Sequence, residues 1–135
     1  AAFSGNELEI VNLVYPIDGD DLENLNVVKA IMTNKSKISF FTRAYVPHKS
    51  HKAMRQLGMI GFTIAALSHY SKLQPTPLEE LESIDMMRLL ENNYEINAVI
   101  SSSPILGVDN PEDIAKVEIM MNQDFLLNTY QEKYL

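Results

Sequence analysis

The chain has 135 residues, about one domain's worth, with 46% hydrophobic and 21% charged residues, which excludes a chain disordered throughout. A formal net charge of −7 excludes a nucleic-acid binder that works through a broad basic face. The lack of cysteine removes disulfides, thiolate zinc sites and cysteine nucleophiles together, and it fits a reducing compartment.

In chain order, Ala1 to Glu9 lack the basic start and apolar stretch of a signal peptide. No later apolar run approaches the roughly 20 residues that span a bilayer. A soluble, cytoplasmic, acidic domain is expected, with neither membrane nor nucleic acid as partner. Leu8 to Tyr15 (L-E-I-V-N-L-V-Y) reads as a buried strand, stopped by Pro16 and the loop Asp18-Gly19-Asp20-Asp21. Val27 to Thr33 and Ile38 to Val46 form a hairpin across the polar turn Asn34 to Lys37, with Pro47 ending it. His48, Lys49, His51, Lys52 and Arg55 are the chain's basic cluster, a solvated loop or an anion-attracting one. Leu57 to Phe62 reads as a strand and Thr63 to Leu73 as a helix.

The clearest helix start is Thr76-Pro77-Leu78-Glu79, a capping box with proline at the first position. The helix is expected to run unbroken to Asn92-Asn93, apolar nearly all round and so buried on more than one side. Steps of three place Glu79, Glu82, Asp85 and Arg88 in one ridge, either a solvated face with an Asp85–Arg88 ion pair or a polar row toward a ligand. Glu95 to Ile100 is a strand, and Asp109 or Asn110 caps a last helix from Pro111. There is no repeat and no linker, and the alternation of strands and helices favours an α/β layered fold.

Residue types alone leave several sites open. Asp109, between a strand end and a helix start, is either a plain N-cap or a hard oxygen ligand for Mg²⁺. Arg43 at a strand end is either a surface charge or a bidentate anion ligand. His48, His51 and His69 lack the spacing of a zinc site. No Walker loop, G-x-S-x-G or G-x-G-x-x-G element is present.

The segments taken together go further. Asn24 to Lys29 reads N-x-x-V-V-K, and Phe40 to Pro47 reads F-F-T-R-A-Y-V-P, followed by L-G-M-I-G-F. Gln74 to Arg88 reads Q-P-T-P-L-E-E-L-E-S-I-D-M-M-R, and Gly107 to Ile114 reads G-V-D-N-P-E-D-I. In order and spacing, over Glu7 to Met121, this resembles the C-terminal half of the 3-deoxy-manno-octulosonate (Kdo) cytidylyltransferases, and more broadly the CMP-sugar-acid synthetases. The resemblance implies part of a nucleotide-diphospho-sugar transferase fold, Rossmann-like with a mixed sheet, without its N-terminal nucleotide-binding half. It implies residues 1–124 as a sugar-binding and dimer-forming part and 125–135 as a tail. Such enzymes join CTP to a sugar 2-keto acid and release pyrophosphate, with Mg²⁺ neutralising charge, and they are homodimers.

Residue by residue, the resemblance makes Asp109 the metal-binding aspartate and puts Arg43 near the sugar, both as catalytic groups. Asp85 stands where the family has a sugar-contacting Glu. Gln56 stands in place of the family's His, Ile60 and Phe62 in place of two Tyr, and Met86 in place of a Gln. Replacing hydrogen-bonding groups by Ile and Met implies a sugar acid less polar than Kdo. The family's CTP-binding loop and second metal-binding Asp have no counterpart in this sequence, so another stretch of protein must supply them for catalysis. A non-catalytic interaction domain derived from the family is the alternative reading, and an unrelated anion-binding module a third.

Overall fold

The structure is a computed structural model, and it describes residues 5–17, 19–46, 53–103, 108, 111–124 and 127. The chain divides into two compact units, residues 1–103 and 104–135. Five strands of the first unit carry its architecture: β1 (Ile10–Pro16), β2 (Lys29–Met32), β3 (Lys37–Thr42), β4 (Met54–Phe62) and β5 (Ile96–Ile100). They close on themselves in the order β1-β4-β2-β3-β5. The β1–β5 pair is parallel and the other pairs are antiparallel. The α/β expectation with a mixed sheet holds.

β1 lies between β4 and β5, and Ile10, Val11, Asn12 and Val14 are all buried, as a strand covered on both faces should be. The hairpin of β2 and β3 forms as expected, but β3 stops at Thr42, four residues before the expected end. β4 starts at Met54, three residues earlier than its apolar run suggests. The Arg55 side chain, in that added stretch, pairs with Asp21 at 3.0 Å. Asp21 belongs to α1 (Gly19–Glu23), a short helix in the segment expected to be a loop; acidic residues suit a helix N-terminus.

α2 (Ile64–Tyr70) is capped by Thr63, whose hydroxyl accepts from the Ala66 N–H at 3.3 Å. The same residue donates to the Glu7 carbonyl at 2.6 Å and accepts from the Glu9 N–H at 3.2 Å, tying the start of β1 to this helix. The long helix expected over residues 76–92 is in fact two, α3 (Pro77–Glu82) and α4 (Met87–Glu91). The break lies at Ser83, which adopts the left-handed conformation (φ 54°, ψ 47°) in which helices end. Thr76 and Glu79 stand in the capping-box arrangement, and the Glu79 carboxylate accepts from the Thr76 N–H at 3.2 Å. The Thr76 hydroxyl itself is buried without a hydrogen-bond partner. Asn93, with φ 61°, turns the chain after α4, as its sequence position predicts.

The break lets Ile84, Met86, Met87 and Leu89 turn into the core against Ile10, Val14, Phe41 and Ile96. Phe41 and Leu89 are fully buried, and the Phe41 N–H is 3.4 Å from the Met87 sulfur, fixing α4 on β3. Burial on this scale, at about 25 cal/mol per Å² of apolar surface, holds α3 and α4 in place although each is too short to be stable alone. In the second unit, α5 (Pro111–Asn122) begins at the proline where the sequence predicts a helix start. No helix among the described residues is long and apolar enough to cross a membrane.

Candidate functional site

Three polar clusters stand on the barrel of the first unit. The first sits where β1 and β4 lose register. Asn12 is opposite Ile60 and Val14 opposite Gln56, so Leu13 faces the three residues Leu57, Gly58 and Met59. A bulge of this kind leaves backbone carbonyls without ladder partners. The fully buried Asn12 supplies them: its Nδ2 donates to the carbonyls of Leu13, Leu57 and Met59 at 3.0, 3.1 and 3.3 Å. Its Oδ1 accepts from Gln56 Nε2 at 2.7 Å. Gln56 is half-buried, and Ile60, also half-buried, packs against the core.

The second cluster gathers at the end of β3. Lys29 is fully buried, and its ammonium donates to the carbonyls of Asn24 at 2.6 Å and Arg43 at 2.9 Å. Desolvation pushes its pKa down, Asp21 pushes it up in part, and Arg43 pushes it down further. The Arg43 guanidinium continues the pattern. Nη1 donates to the carbonyls of Leu25 and Asn26, both at 3.2 Å, Nε to that of Glu82 at 3.3 Å, and Nη2 to that of Ser83 at 3.4 Å. Two cations thus hold three successive carbonyls of the 24–26 turn and join it to the left-handed break after α3. Four of the guanidinium's five N–H groups are engaged, so it has no free pair of parallel donors for a carboxylate. The Glu82 carboxylate accepts from the Thr42 hydroxyl at 2.9 Å and from the Arg43 N–H at 3.1 Å.

The third cluster joins α2, α3 and α4. Arg88 and Glu79 form a two-pronged ion pair, Nε to Oε2 at 2.7 Å and Nη2 to Oε1, with both side chains mostly buried. Arg88 also donates to the Leu73 carbonyl at 3.3 Å and lies 5.2 Å from the centroid of the Tyr70 ring. Tyr70 in turn stacks on Phe62 with centroids 5.6 Å apart. The guanidinium holds the Glu79 carboxyl below the usual carboxylate range, while burial, followed by the charge of Asp85, pushes the Tyr70 hydroxyl up. The ridge expected along one helix is therefore divided. Arg88 pairs with Glu79 and not with Asp85, and Glu82 turns to β3, because the break at Ser83 ends the three-residue spacing.

Of the residues singled out in sequence, Gln56 and Ile60 share the β1–β4 bulge, while Arg43 anchors the end of β3. Asp85 is exposed between α3 and α4, and its charge reaches Tyr70 and Arg88. Met86 is 2% exposed and belongs to the core, so it can shape a neighbouring pocket only through packing. Asp109 lies outside the described residues, as do His48 and His51. Among the described residues, no three His, Asp or Glu side chains converge as a metal cage. Asn12 and Tyr70 are not singled out in sequence, and Lys29 enters there only as the last residue of N-x-x-V-V-K. A polar residue inside an apolar strand (Asn12 in I-V-N-L-V, Lys29 in V-V-K-A-I) was the available signal, since a buried polar group has to be satisfied.

No protein-family model matches the chain. Among curated proteins it is similar to the 3-deoxy-manno-octulosonate cytidylyltransferase of Chlorobium limicola, 32% identical over 126 residues, covering 87% of this chain and 51% of that protein. It is also similar to the mitochondrial enzyme of that name from Arabidopsis thaliana, 34% identical over 120 residues, covering 84% of this chain and 40% of that protein. Among solved structures, one of CMP:2-keto-3-deoxy-manno-octonic acid synthetase complexed with CTP matches with a TM-score of 0.76 at 23% identity. It covers 86% of this chain and 50% of the other, and it establishes the likeness of fold. The chain spans about half the length of the curated relatives it matches. In sequence and in fold, the chain belongs to the 3-deoxy-manno-octulosonate cytidylyltransferase family and corresponds to the C-terminal half of its members.

Proposed function

We propose that this chain supplies the sugar-acid-binding and dimer-forming half of a cytidylyltransferase, which joins CTP to a 2-keto-3-deoxy sugar acid and releases pyrophosphate. The observation that carries this reading is the match of nearly the whole chain to one contiguous half of such enzymes in both sequence and fold. In the proposed reaction the anomeric hydroxyl of the sugar acid attacks the α-phosphorus of CTP, and pyrophosphate leaves. The protein's task is to hold the two reactants in line and to neutralise charge.

Within this reading Gln56 and Ile60 at the β1–β4 bulge, with Asp85 on the turn after α3, face the sugar acid. Arg43 contributes by fixing the 24–26 turn and the Ser83 break beside them. Asp109 is the residue assigned to Mg²⁺, a cation that takes one or two carboxylates and fills its other positions with water and phosphate oxygens. When bound, Mg²⁺ would offset charge on the phosphates. The less polar lining at Ile60 favours a sugar acid with fewer hydroxyls than Kdo. The dimer assignment is supported by apolar side chains left uncovered within the first unit, Ile64 at 90% and Leu81 at 80% exposure, which a second copy would bury.

Pyrophosphate release from CTP and Mg²⁺ by the complete enzyme, this chain together with a nucleotide-binding half, measured across a panel of 2-keto sugar acids, tests the proposal. Turnover is expected with at least one member, and with a higher kcat/KM for a less hydroxylated acid than for Kdo. Background rates with every acid would contradict it and favour a non-catalytic interaction domain of the same family.

A further inference from the structure

We infer that Asn12 is a positioning residue, which fixes the Gln56 carboxamide so that its Oε1 is presented as a hydrogen-bond acceptor for a hydroxyl of the bound sugar acid. The ligand in this inference rests on the cytidylyltransferase reading; the geometry does not. Three backbone carbonyls converge on one end of the Asn12 side chain. Only the NH₂ group can face them, since the amide oxygen turned that way would meet three acceptors. Oδ1 therefore faces Gln56, and the group it meets at 2.7 Å has to be a donor, which makes it Nε2. The orientation of Gln56 follows by elimination, with Oε1 on the side away from Asn12.

Oε1 has no hydrogen-bond partner among the described residues, on a side chain that is only half-buried. The backbone next to it is open as well. Gly58 and Met59 at the crest of the bulge are exposed, and a Cβ placed on Gly58 would meet nothing within 4 Å. A fixed lone acceptor beside an open bulge matches a hydroxyl or amide N–H, and it repels a carboxylate or phosphate. At the position facing Oε1 the site therefore takes a hydroxyl and not the acid group. A histidine on the same Cα could offer either a donor or an acceptor according to its tautomer; Gln56 held by Asn12 has Oε1 fixed as an acceptor, with one Nε2 hydrogen left over.

The test compares, in the complete enzyme with a nucleotide-binding half present, Gln56→Met, which keeps the length and removes both polar atoms, with Asn12→Ser and with the double variant. Gln56→Met is expected to raise KM for the preferred sugar acid about 5- to 10-fold, the worth of one neutral hydrogen bond, with KM for CTP little changed. Asn12→Ser should reproduce that shift, and the double variant should show no more than either single change. Side-chain amide exchange followed by NMR supplies a ligand-free readout. The Gln56 NH₂ should exchange more slowly than that of free glutamine in the unaltered protein and lose this protection in Asn12→Ser. An unchanged KM in Gln56→Met, additive effects, or an unprotected Gln56 amide in the unaltered protein would each overturn the inference. Inactivity of the unaltered protein with every sugar acid would instead remove the cytidylyltransferase reading and the ligand with it, while amide exchange would still decide the clamp.

Discussion

Arg88→Met is expected to lower the free energy of unfolding by about 2–3 kcal/mol, somewhat under the cost of breaking a fully buried pair because the Glu79–Arg88 pair keeps some exposure. The loss has three parts. The Glu79 carboxylate is left without its cation, the Leu73 carbonyl loses a donor, and the Tyr70 ring loses the guanidinium over its face. The pair also sets a pH dependence with a definite sign. The folded-state pKa of Glu79 is depressed, foremost by Arg88, so its contribution is present in full above the ordinary glutamate value of 4.5 and is lost as pH falls through the folded value. Thermal unfolding at neutral pH and from about pH 5 downward checks both statements. The unaltered protein should lose stability with acid more steeply than the variant. A variant less than about 0.5 kcal/mol weaker, within the range of an exposed pair, would mean that the α2–α3–α4 junction is held by apolar packing alone.

Asp109→Asn in the complete enzyme, with a nucleotide-binding half present, is expected to reduce Mg²⁺-dependent turnover at least about 100-fold, since an amide replaces a charged hard ligand at the proposed metal site. The loss should appear in kcat/KM at saturating Mg²⁺, with circular dichroism and thermal unfolding unchanged. Partial recovery with Mn²⁺ would fit the same role, because Mn²⁺ also accepts carboxylate and carbonyl oxygens. An unchanged rate would take Asp109 out of the metal role and return it to the plain helix cap that its position also allows.

Much of the fold was legible in the sequence because its signals are local. The β-branched run of β1, the polar turn between β2 and β3, the proline at the head of α5 and the asparagines after α4 all fall where their chemistry places them. The break between α3 and α4 was not legible, because no glycine or proline marks it. Ser83 accepts a left-handed backbone only because the barrel buries Ile84 and Met86 behind it and Arg43 holds its carbonyl. That one residue explains why an apolar pattern running nearly round a single helix is the pattern of two short helices turned differently toward one core. It also explains Met86, which a continuous helix would have left beside a ligand-facing row.

The candidate site was legible as residue types and not as geometry. Gln56 and Ile60 are four residues apart in sequence, but the bulge that frames them is set by Asn12 on another strand, 44 residues before Gln56. Arg43 at a strand end suggested a bidentate anion ligand or a surface charge, whereas the folded chain turns its guanidinium to the carbonyls of the 24–26 turn and the Ser83 break. The basic cluster read at residues 48–55 is divided by the fold in one respect that the structure describes: Arg55 enters β4 and pairs with Asp21.

The most direct measurement is an NMR titration of the isotopically labelled 135-residue chain with a 2-keto-3-deoxy sugar acid. The side-chain amide of Gln56 and the backbone amides of Leu57, Gly58 and Met59 should shift in a saturable way, with little response along α5. No shift at any concentration, or shifts confined to α5, would contradict the assignment of the sugar acid to the β1–β4 bulge of this chain.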